Sequence, residues 1–382
     1  MELKRIFYPV GQGIFYTEKF HFGDKVFNVV FDCGSENKNK IEKEISQTFT
    51  KEDTIDILFI SHFHADHMNS LNYLKKHCKQ IKRVVIPFQT EESVNLIKIV
   101  NPVQYNINKQ VLKFLKQEGI EIINVIEYDK DKEIESEDKK TLVIDLAEES
   151  TDGKEKNLNS RDRNSGDVIE IRNNTDYWEY IVYNFDISKC DSFIDELKQK
   201  LNLSNKEEVK KKLKEFDFTN TKQKEIKQVY EKVFGKKNLN NSSLVVLSLP
   251  KAVTKKTNNY FHIDIPYLTY PFFHRLNPLP STYIGFVFTG DFNAKKFFDD
   301  NIEKSFYSDE NKKLIGMIQV PHHGSIHSHN DKFILPNIIY PISFGNNNKY
   351  GHPSKVVLAN ILSKGGVPCF IAENSTLIQI IE

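Results

Sequence analysis

The sequence predicts a mixed α/β fold with metal-competent loops at the ends of buried strands. Three observations carry that expectation. An apolar run at residues 55–60, rich in β-branched residues and Phe, is followed at once by His62, His64, Asp66 and His67. A second apolar run, 285–289, ends in Gly290-Asp291, and a third, 317–320, delivers Pro321-His322-His323-Gly324. Between such runs lie stretches of helical spacing, such as Met68, Leu71, Leu74 and Cys78. Short apolar runs of this kind read as strands buried on both faces. Open α/β sheets build their sites at the carboxyl ends of strands.

Taken in order, residues 4–32 read as consecutive strands, broken at Gly11 and Gly13 and turned at Gly23-Asp24. Residues 41–49 read as a short helix leading into the strand at 55–60. Residues 84–87 form a strand, 111–119 the end of a helix with a Gly stop, and 120–126 another strand. From 127 to 165 the chain is dense in charged and small polar residues, an exposed loop with one short strand near 142–146. Strand-like stretches at 168–171 and 180–185 follow, joined by the turn-rich Asn173-Asn174-Thr175-Asp176. Helical periodicity runs from Phe193, Leu197 and Leu201 through Val209 and Leu213 to Ile226, Val229 and Val233, with Lys outnumbering Asp and Glu. Strands resume at 244–247 and 261–265, before a loop rich in Pro and aromatics at 266–282. A helix at 294–304, a strand at 340–344, a helix at 354–362 and closing strands at 369–372 and 376–380 complete the chain.

The chemistry concentrates in few residues. His62 and His64 are two apart, so an extended backbone points them the same way. Asp66 and His67 follow as the chain turns and can face a second point. Neutral imidazole and carboxylate suit Zn²⁺, Mn²⁺ or Fe²⁺. Asp291 taken alone reads as a turn or helix-capping residue. The His322-His323 pair, ahead of a Gly that lets the backbone turn, repeats the logic of the first cluster.

His-x-His-x-Asp-His directly after a buried strand resembles the signature of metallo-β-lactamase-fold hydrolases. Further stretches resemble their ComEC-like subgroup: Val10-Gly11-Gln12-Gly13, Asp32-Cys33-Gly34, Val320-Pro321-His322-His323-Gly324-Ser325, and Asn348-Lys349-Tyr350-Gly351-His352-Pro353. The chain departs from that pattern at Ile14, where the subgroup has Asp, and at Asn69-Ser70, where many relatives have two glycines. It also lacks a further His at residues 240–243. The resemblance implies a four-layer αββα sandwich, with residues 1–126 and 239–382 as the hydrolase core and 127–238 as an inserted, Lys-rich, mostly helical subdomain. It implies two divalent metal ions, Zn²⁺ or Mn²⁺: one on His62 and His64, a second on Asp66, His67 and His323, with Asp291 bridging. In such proteins the carboxylate matching Asp32 braces the metal loop; a plain turn residue would look much the same. Asp66, His322 and His352 are the expected catalytic residues, the two histidines contacting an oxyanion or protonating a leaving group.

The implied reaction is hydrolysis by a metal-bridging hydroxide, with a phosphodiester such as DNA or a nucleotide as substrate. His322, His352 and Lys349 around an otherwise ordinary site favour phosphorus. Lactone or thioester hydrolysis, or mere binding on an inert metal scaffold, are the alternatives. Without a third His, the first ion would rest on Asp291, water and an amide oxygen of Asn240 or Asn241, and would be readily lost and replaceable by Mn²⁺. The segment 127–238 is the expected contact for a protein partner or polyanion.

Composition is that of an ordinary globular protein: 382 residues, 39% hydrophobic and 27% charged. A formal net charge of +1 gives no global basic field for nucleic acid or membrane binding. The opening residues lack a signal-peptide apolar run, and no stretch approaches a membrane span, so a cytoplasmic protein is expected. Cys33, Cys78, Cys190 and Cys369 are scattered and read as small buried residues.

Overall fold

A computed structural model describes residues 1–128, 139–147, 162–174, 176–186, 190–216, 218–234, 242–251, 259–264 and 283–381. The chain opens with an antiparallel meander of β1 (Glu2–Phe7), β2 (Gly13–Phe22) and β3 (Lys25–Ser35). Helix α1 (Lys38–Thr48), capped by the Asn37 side chain, crosses to β4 (Thr54–Phe59), which lies parallel to β3. Then come α2 (Ala65–Met68), α3 (Leu71–His77), β5 (Gln80–Pro87), α4 (Glu91–Val100), α5 (Pro102–Gln117) and β6 (Glu121–Val125). The helical face expected after His67 is thus two helices, broken at Asn69-Ser70, and α4 is an element the periodicity did not reveal.

The second sheet begins with β7 (Thr141–Asp145); β8 (Asp162–Arg163) returns to the first, and β9 (Val168–Asn173) and β10 (Asp176–Asp186) continue the second. Helices α6 (Asp191–Leu201), α7 (Lys206–Glu215) and α8 (Asn220–Phe234) precede β11 (Ser242–Pro250) and the edge strand β12 (Asn259–Asp264). The last part holds β13 (Gly285–Phe288), α9 (Ala294–Phe297), α10 (Asp300–Phe306), α11 (Asp309–Lys312), β14 (Ile315–Ile318), β15 (Ile339–Ser343), α12 (Lys355–Ser363), β16 (Val367–Ile371) and β17 (Thr376–Ile381). Among the described residues the strands make one sheet of nine, β12-β17-β1-β2-β3-β4-β5-β6-β8, and one of eight, β16-β15-β14-β13-β11-β10-β9-β7.

The layers follow from which side chains each strand turns inward. On β2, Ile14, Tyr16, Phe20 and Phe22 face the second sheet, where they meet Trp178, Tyr180, Val182, Leu244, Val246, Phe286 and Phe288. On the far side of the first sheet, Phe15, Val30, Leu58 and Val84 pack under α1, α3 and α5 through Ile41, Ile45, Leu74, Val111 and Leu115. On the far side of the second, Val245, Val287 and Ile318 pack under α10 and α12 through Ile302, Phe306, Val357 and Ile361. This is the expected four-layer αββα sandwich. Period-2 alternation dictates it, since each strand has apolar groups on both faces.

One inward position on β1 and one on β2 carry charge. Arg5 and Glu18 are directly opposed in the register and fully buried, with Arg5 Nε 2.7 Å from Glu18 Oε1. Tyr16 and Tyr180 hydroxyls each donate to Glu18 at 2.7 Å, Ser248 donates to it at 2.9 Å, and Arg5 also donates to Gln379 Oε1 at 3.0 Å and to the Ile284 carbonyl. A buried pair survives only when its remaining donors and lone pairs are used, as they are here.

Residues 127–238, expected as one inserted subdomain, divide in two. β10 pairs with β11 from Trp178↔Pro250 to Asp186↔Ser242, and Trp178, Tyr180 and Val182 sit in the core between the sheets. These strands therefore belong to the sandwich. Helices α6, α7 and α8 stand outside it, packing Phe193, Leu197, Val209, Leu213 and Tyr230 against Leu96, Ile99 and Val100 of α4. Asn240, Asn241 and the loop at 266–282 lie outside the described residues. No described helix is long and apolar enough to cross a membrane.

Candidate metal centre

Both sheets deliver strand ends to one place. β3, β4, β5 and β6 are mutually parallel in the first sheet, and β13, β14, β15 and β16 in the second. The loop after β4 carries His62 to His67, the turn after β13 carries Asp291, and the turn after β14 carries His322 and His323. The sheets are joined there by Leu244 N–H, which donates to the Ser61 carbonyl at 2.8 Å, and within the second sheet His322 N–H donates to the Gly290 carbonyl at 3.0 Å. Two glycines permit the close approach. A Cβ on Gly34 would lie 2.4 Å from His67 backbone, and one on Gly290 would lie 2.4 Å from Ser61 Cβ. Asn69 adds a clasp, its side chain donating to the Ser35 carbonyl at 2.7 Å and accepting from Ser35 N–H at 3.2 Å.

The structure brings His62, His67, Asp291, Asp66 and His323 together. His62, His67 and Asp291 form one group of ligand atoms lying within 4.8 Å of one another, and Asp66, His67 and His323 form another. His67 Nε2 is 3.3 Å from Asp291 Oδ1 and 3.9 Å from Asp66 Oδ2. His323 Nε2 is 3.8 Å from each of those oxygens, and His62 Nε2 is 3.7 Å from Asp291 Oδ2. His64 adjoins the first group, its ring centroid 4.8 Å from that of His62. His67 is common to the two groups, and Asp291 Oδ1 is also 3.8 Å from His323 Nε2 of the second.

Proton bookkeeping at the buried end of the cluster fixes how the imidazoles face. Asp32, fully buried, accepts from Ser61 N–H at 2.7 Å and from Ser61 Oγ at 2.6 Å. That uses the only hydroxyl proton of Ser61, so its oxygen, 3.0 Å from His62 Nδ1, must accept from that nitrogen. Asp32 Oδ2 also takes the Nδ1 proton of His67 at 2.7 Å, and the Ser343 carbonyl takes that of His323 at 2.7 Å. All three rings are held with Nδ1 as the donor, so Nε2 offers its lone pair inward when the ring is neutral. Nε2 of His62, His67 and His323 is buried without a hydrogen-bond partner among the described residues. Buried polar atoms are rarely left so, and an outer carboxylate or carbonyl on the far nitrogen is the usual setting of a metal-ligating His. Three imidazole nitrogens and two carboxylates fit a divalent transition metal.

The electrostatics agree. Burial would lower the pKa of His67, but Asp291, Asp66 and Asp32 outweigh it and push it well above the ordinary value. Burial and neighbouring His67 push His62 well below it. Burial would raise Asp291, yet the surrounding histidines hold it well below the usual carboxylate range. Positive charge is wanted at this point, and the carboxylates are kept ionised to meet it.

His322 and His352 form the outer rim. His322 Nδ1 lies 3.0 Å from Ser328 Oγ and its Nε2 3.7 Å from Asp291 Oδ2. The His352 ring is 6.0 Å from that of His322, and burial together with His323 and His322 lowers its pKa to about 4. Lys349 is exposed in the same loop. The sequence reading did not single out Ser61, the Ser343 carbonyl or Ser328; only the position of Ser61 between the strand and His62 hinted at a role.

Residues 24–91 match the profile of the Metallo-beta-lactamase superfamily. No curated protein matches the chain. Among solved structures, unliganded yeast PDE1 is similar over 99% of this chain and 99% of that one, at 8% identity and a TM-score of 0.41. The long form of RNase Z from yeast is similar over 90% of this chain and 38% of its own, at 9% identity and a TM-score of 0.36.

Proposed function

We propose that the chain is a metal-dependent hydrolase acting on phosphodiesters, a nuclease or a nucleotide phosphodiesterase. The observation that supports this most is the set of three inward-facing Nε2 atoms and two ionised carboxylates where strand ends of both sheets meet. His62, His64 and Asp291 would hold one divalent ion and Asp66, His67 and His323 a second, as Zn²⁺ or Mn²⁺. Such ions, when bound, polarise an ester oxygen and acidify water. The protein's own part is distributed. Asp32 and Ser61 keep His62 and His67 in one tautomer. Asp66 and Asp291 supply the negative charge that fixes the cations. His322, oriented by Ser328, faces the cluster and would hydrogen-bond a non-bridging oxygen as charge develops there. His352, one ring further out and kept neutral by its lowered pKa, would contact the developing oxyanion by hydrogen bond. Lys349 adds positive charge suited to a phosphodiester.

The test begins with protein purified without chelator. Elemental analysis should find two ions per chain, and bis-p-nitrophenyl phosphate, single-stranded DNA and cyclic nucleotides should be compared with a lactone and a thioester. Phosphodiester turnover should vanish in His64→Ala and Asp66→Ala with the fold retained. Lactone or thioester turnover higher by orders of magnitude would overturn the phosphorus assignment. Full activity with one ion would overturn the binuclear one.

A further inference from the structure

We infer that Tyr350 is the floor of a nucleobase subsite beside the metal-competent cluster; this rests on the phosphodiesterase reading and narrows its substrate to nucleotides. Tyr350 is 49% exposed, yet its ring is not loose. It stacks on His352 with centroids 5.8 Å apart and planes 17° from parallel. Its hydroxyl donates to Glu36 Oε1 at 3.4 Å, tying it to the loop that follows β3. The backbone beneath is clasped by one side chain. Asn348 donates to the carbonyls of Gly345 at 2.7 Å and His352 at 2.8 Å, and accepts from Tyr350 N–H at 3.2 Å and His352 N–H at 3.0 Å.

Scattered exposed aromatics are ordinary on protein surfaces. This one differs in being ordered by side-chain and backbone contacts and in its location. Its ring stands one imidazole, that of His352, out from His322, and His322 Nε2 lies 3.7 Å from Asp291. The successive ring separations of 5.8 and 6.0 Å leave Tyr350 within the reach of a base whose own phosphate, or that of the next nucleotide, sits at His322. A base stacked on Tyr350 would therefore leave its phosphate toward His322 and the carboxylates. A ring already immobilised loses little freedom on binding, and every base offers a π-face, so the subsite would be tolerant of sequence.

Two readouts test this. The first compares cleavage of a short single-stranded oligonucleotide with that of the same strand carrying a tetrahydrofuran abasic residue beside the scissile diester. The wild type should prefer the intact base by about tenfold in KM. Tyr350→Leu, which keeps bulk without a π-face, should reduce that ratio to near one, and Tyr350→Phe should keep it. The second is quenching of a 2-aminopurine nucleotide on binding, expected for wild type and Tyr350→Phe and lost in Tyr350→Leu. An equal loss of both substrates in Tyr350→Leu, or no preference in the wild type, would overturn the subsite. Quenching without any diester cleavage would leave the subsite standing and remove the hydrolase reading instead; cleavage without quenching would do the reverse.

Discussion

Substituting Asp32 by Asn separates a brace from a turn residue. Asn is nearly isosteric and tolerates the left-handed backbone of this position, where φ is 51°, so the change is one of charge and hydrogen-bonding sense. One amide oxygen can still accept from Ser61 N–H. The amide NH₂ then confronts Ser61 Oγ–H and His67 Nδ1–H, donors now bonded at 2.6 and 2.7 Å. Each bond to an ionised partner contributes roughly 1.5–3 kcal/mol. Rotation of the Ser61 hydroxyl recovers part of this, so a loss of about 3 kcal/mol is expected in chemical denaturation run with chelator present. With its Nδ1 acceptor gone, His67 is free to move its proton to Nε2, and removing such an outer partner lowers metal affinity by roughly 10–100-fold. Competition against a chromogenic chelator measures that directly. Wild-type values for both quantities would refute the brace and return Asp32 to the role of a turn residue.

The buried pair gives a second expectation: Glu18→Ala strands Arg5 in the core and should lose about 3–5 kcal/mol of stability, whereas Arg5→Met with Glu18→Leu should lose much less, as denaturation curves would show. A third concerns acid. Burial alone would raise the Glu170 carboxyl, but hydrogen bonds from Lys251 and Arg172 outweigh it and hold the pKa below the usual range. Its contribution is thus full above the unfolded value of about 4.3 and lost as pH falls through the lower folded value. The Tm gap between wild type and Glu170→Gln should be open at pH 7 and close in that acid window, and a gap constant down to acid would count against the pair. Finally, deletion of residues 127–238 should give insoluble protein, because it removes β7, β9 and β10 from the second sheet; a soluble, cooperative product on melting would contradict that pairing.

Much of the candidate site was legible because metal chemistry demands few residue types, placed where strands end. His62, His64, Asp66 and His67 adjoin in sequence, and Asp291 and His323 follow apolar runs of the same kind. Their pairing was not legible: it depends on proton positions, such as the single hydroxyl proton of Ser61, that no spacing encodes. The fold was legible where one periodicity dominates. It failed at α4, where Leu96, Ile97, Ile99 and Val100 are all buried and the polar stripe of Glu91, Asn95 and Lys98 is narrow. At β9 and β10 the strands were legible, at 168–171 and 180–185, but their place was not: flanking polar loops assign them to the insertion, whereas Ile169, Ile171, Trp178, Tyr180 and Val182 lie in the core between the sheets. Arg5 and Glu18 look like breaks in alternation when read singly, and make sense only once the register sets them opposite each other.

Three of the non-glycine residues held in the left-handed backbone region lie where the charges do; Asn174, Asn202, Phe216 and Asn337 are elsewhere. Asp32, His322 and His323 are non-glycine residues with φ of 51°, 49° and 54°, a conformation that costs L-residues about 1–2 kcal/mol each. All three belong to the strand-end turns of the candidate centre. Such strain persists only where the surroundings over-determine it, and here they do. Asp32 is held by both polar groups of Ser61 and by His67; His322 is held by its N–H to Gly290 at 3.0 Å and by its carbonyl, which accepts from Ser325 N–H at 2.9 Å. His323 is held by its Nδ1 on the Ser343 carbonyl. Each contact is made by a protein group at a strand end. The imidazoles are thus oriented by neighbouring strand ends within each sheet, His62 and His67 in the first and His322 and His323 in the second, and a cation entering the cluster would find its nitrogen ligands already turned toward it.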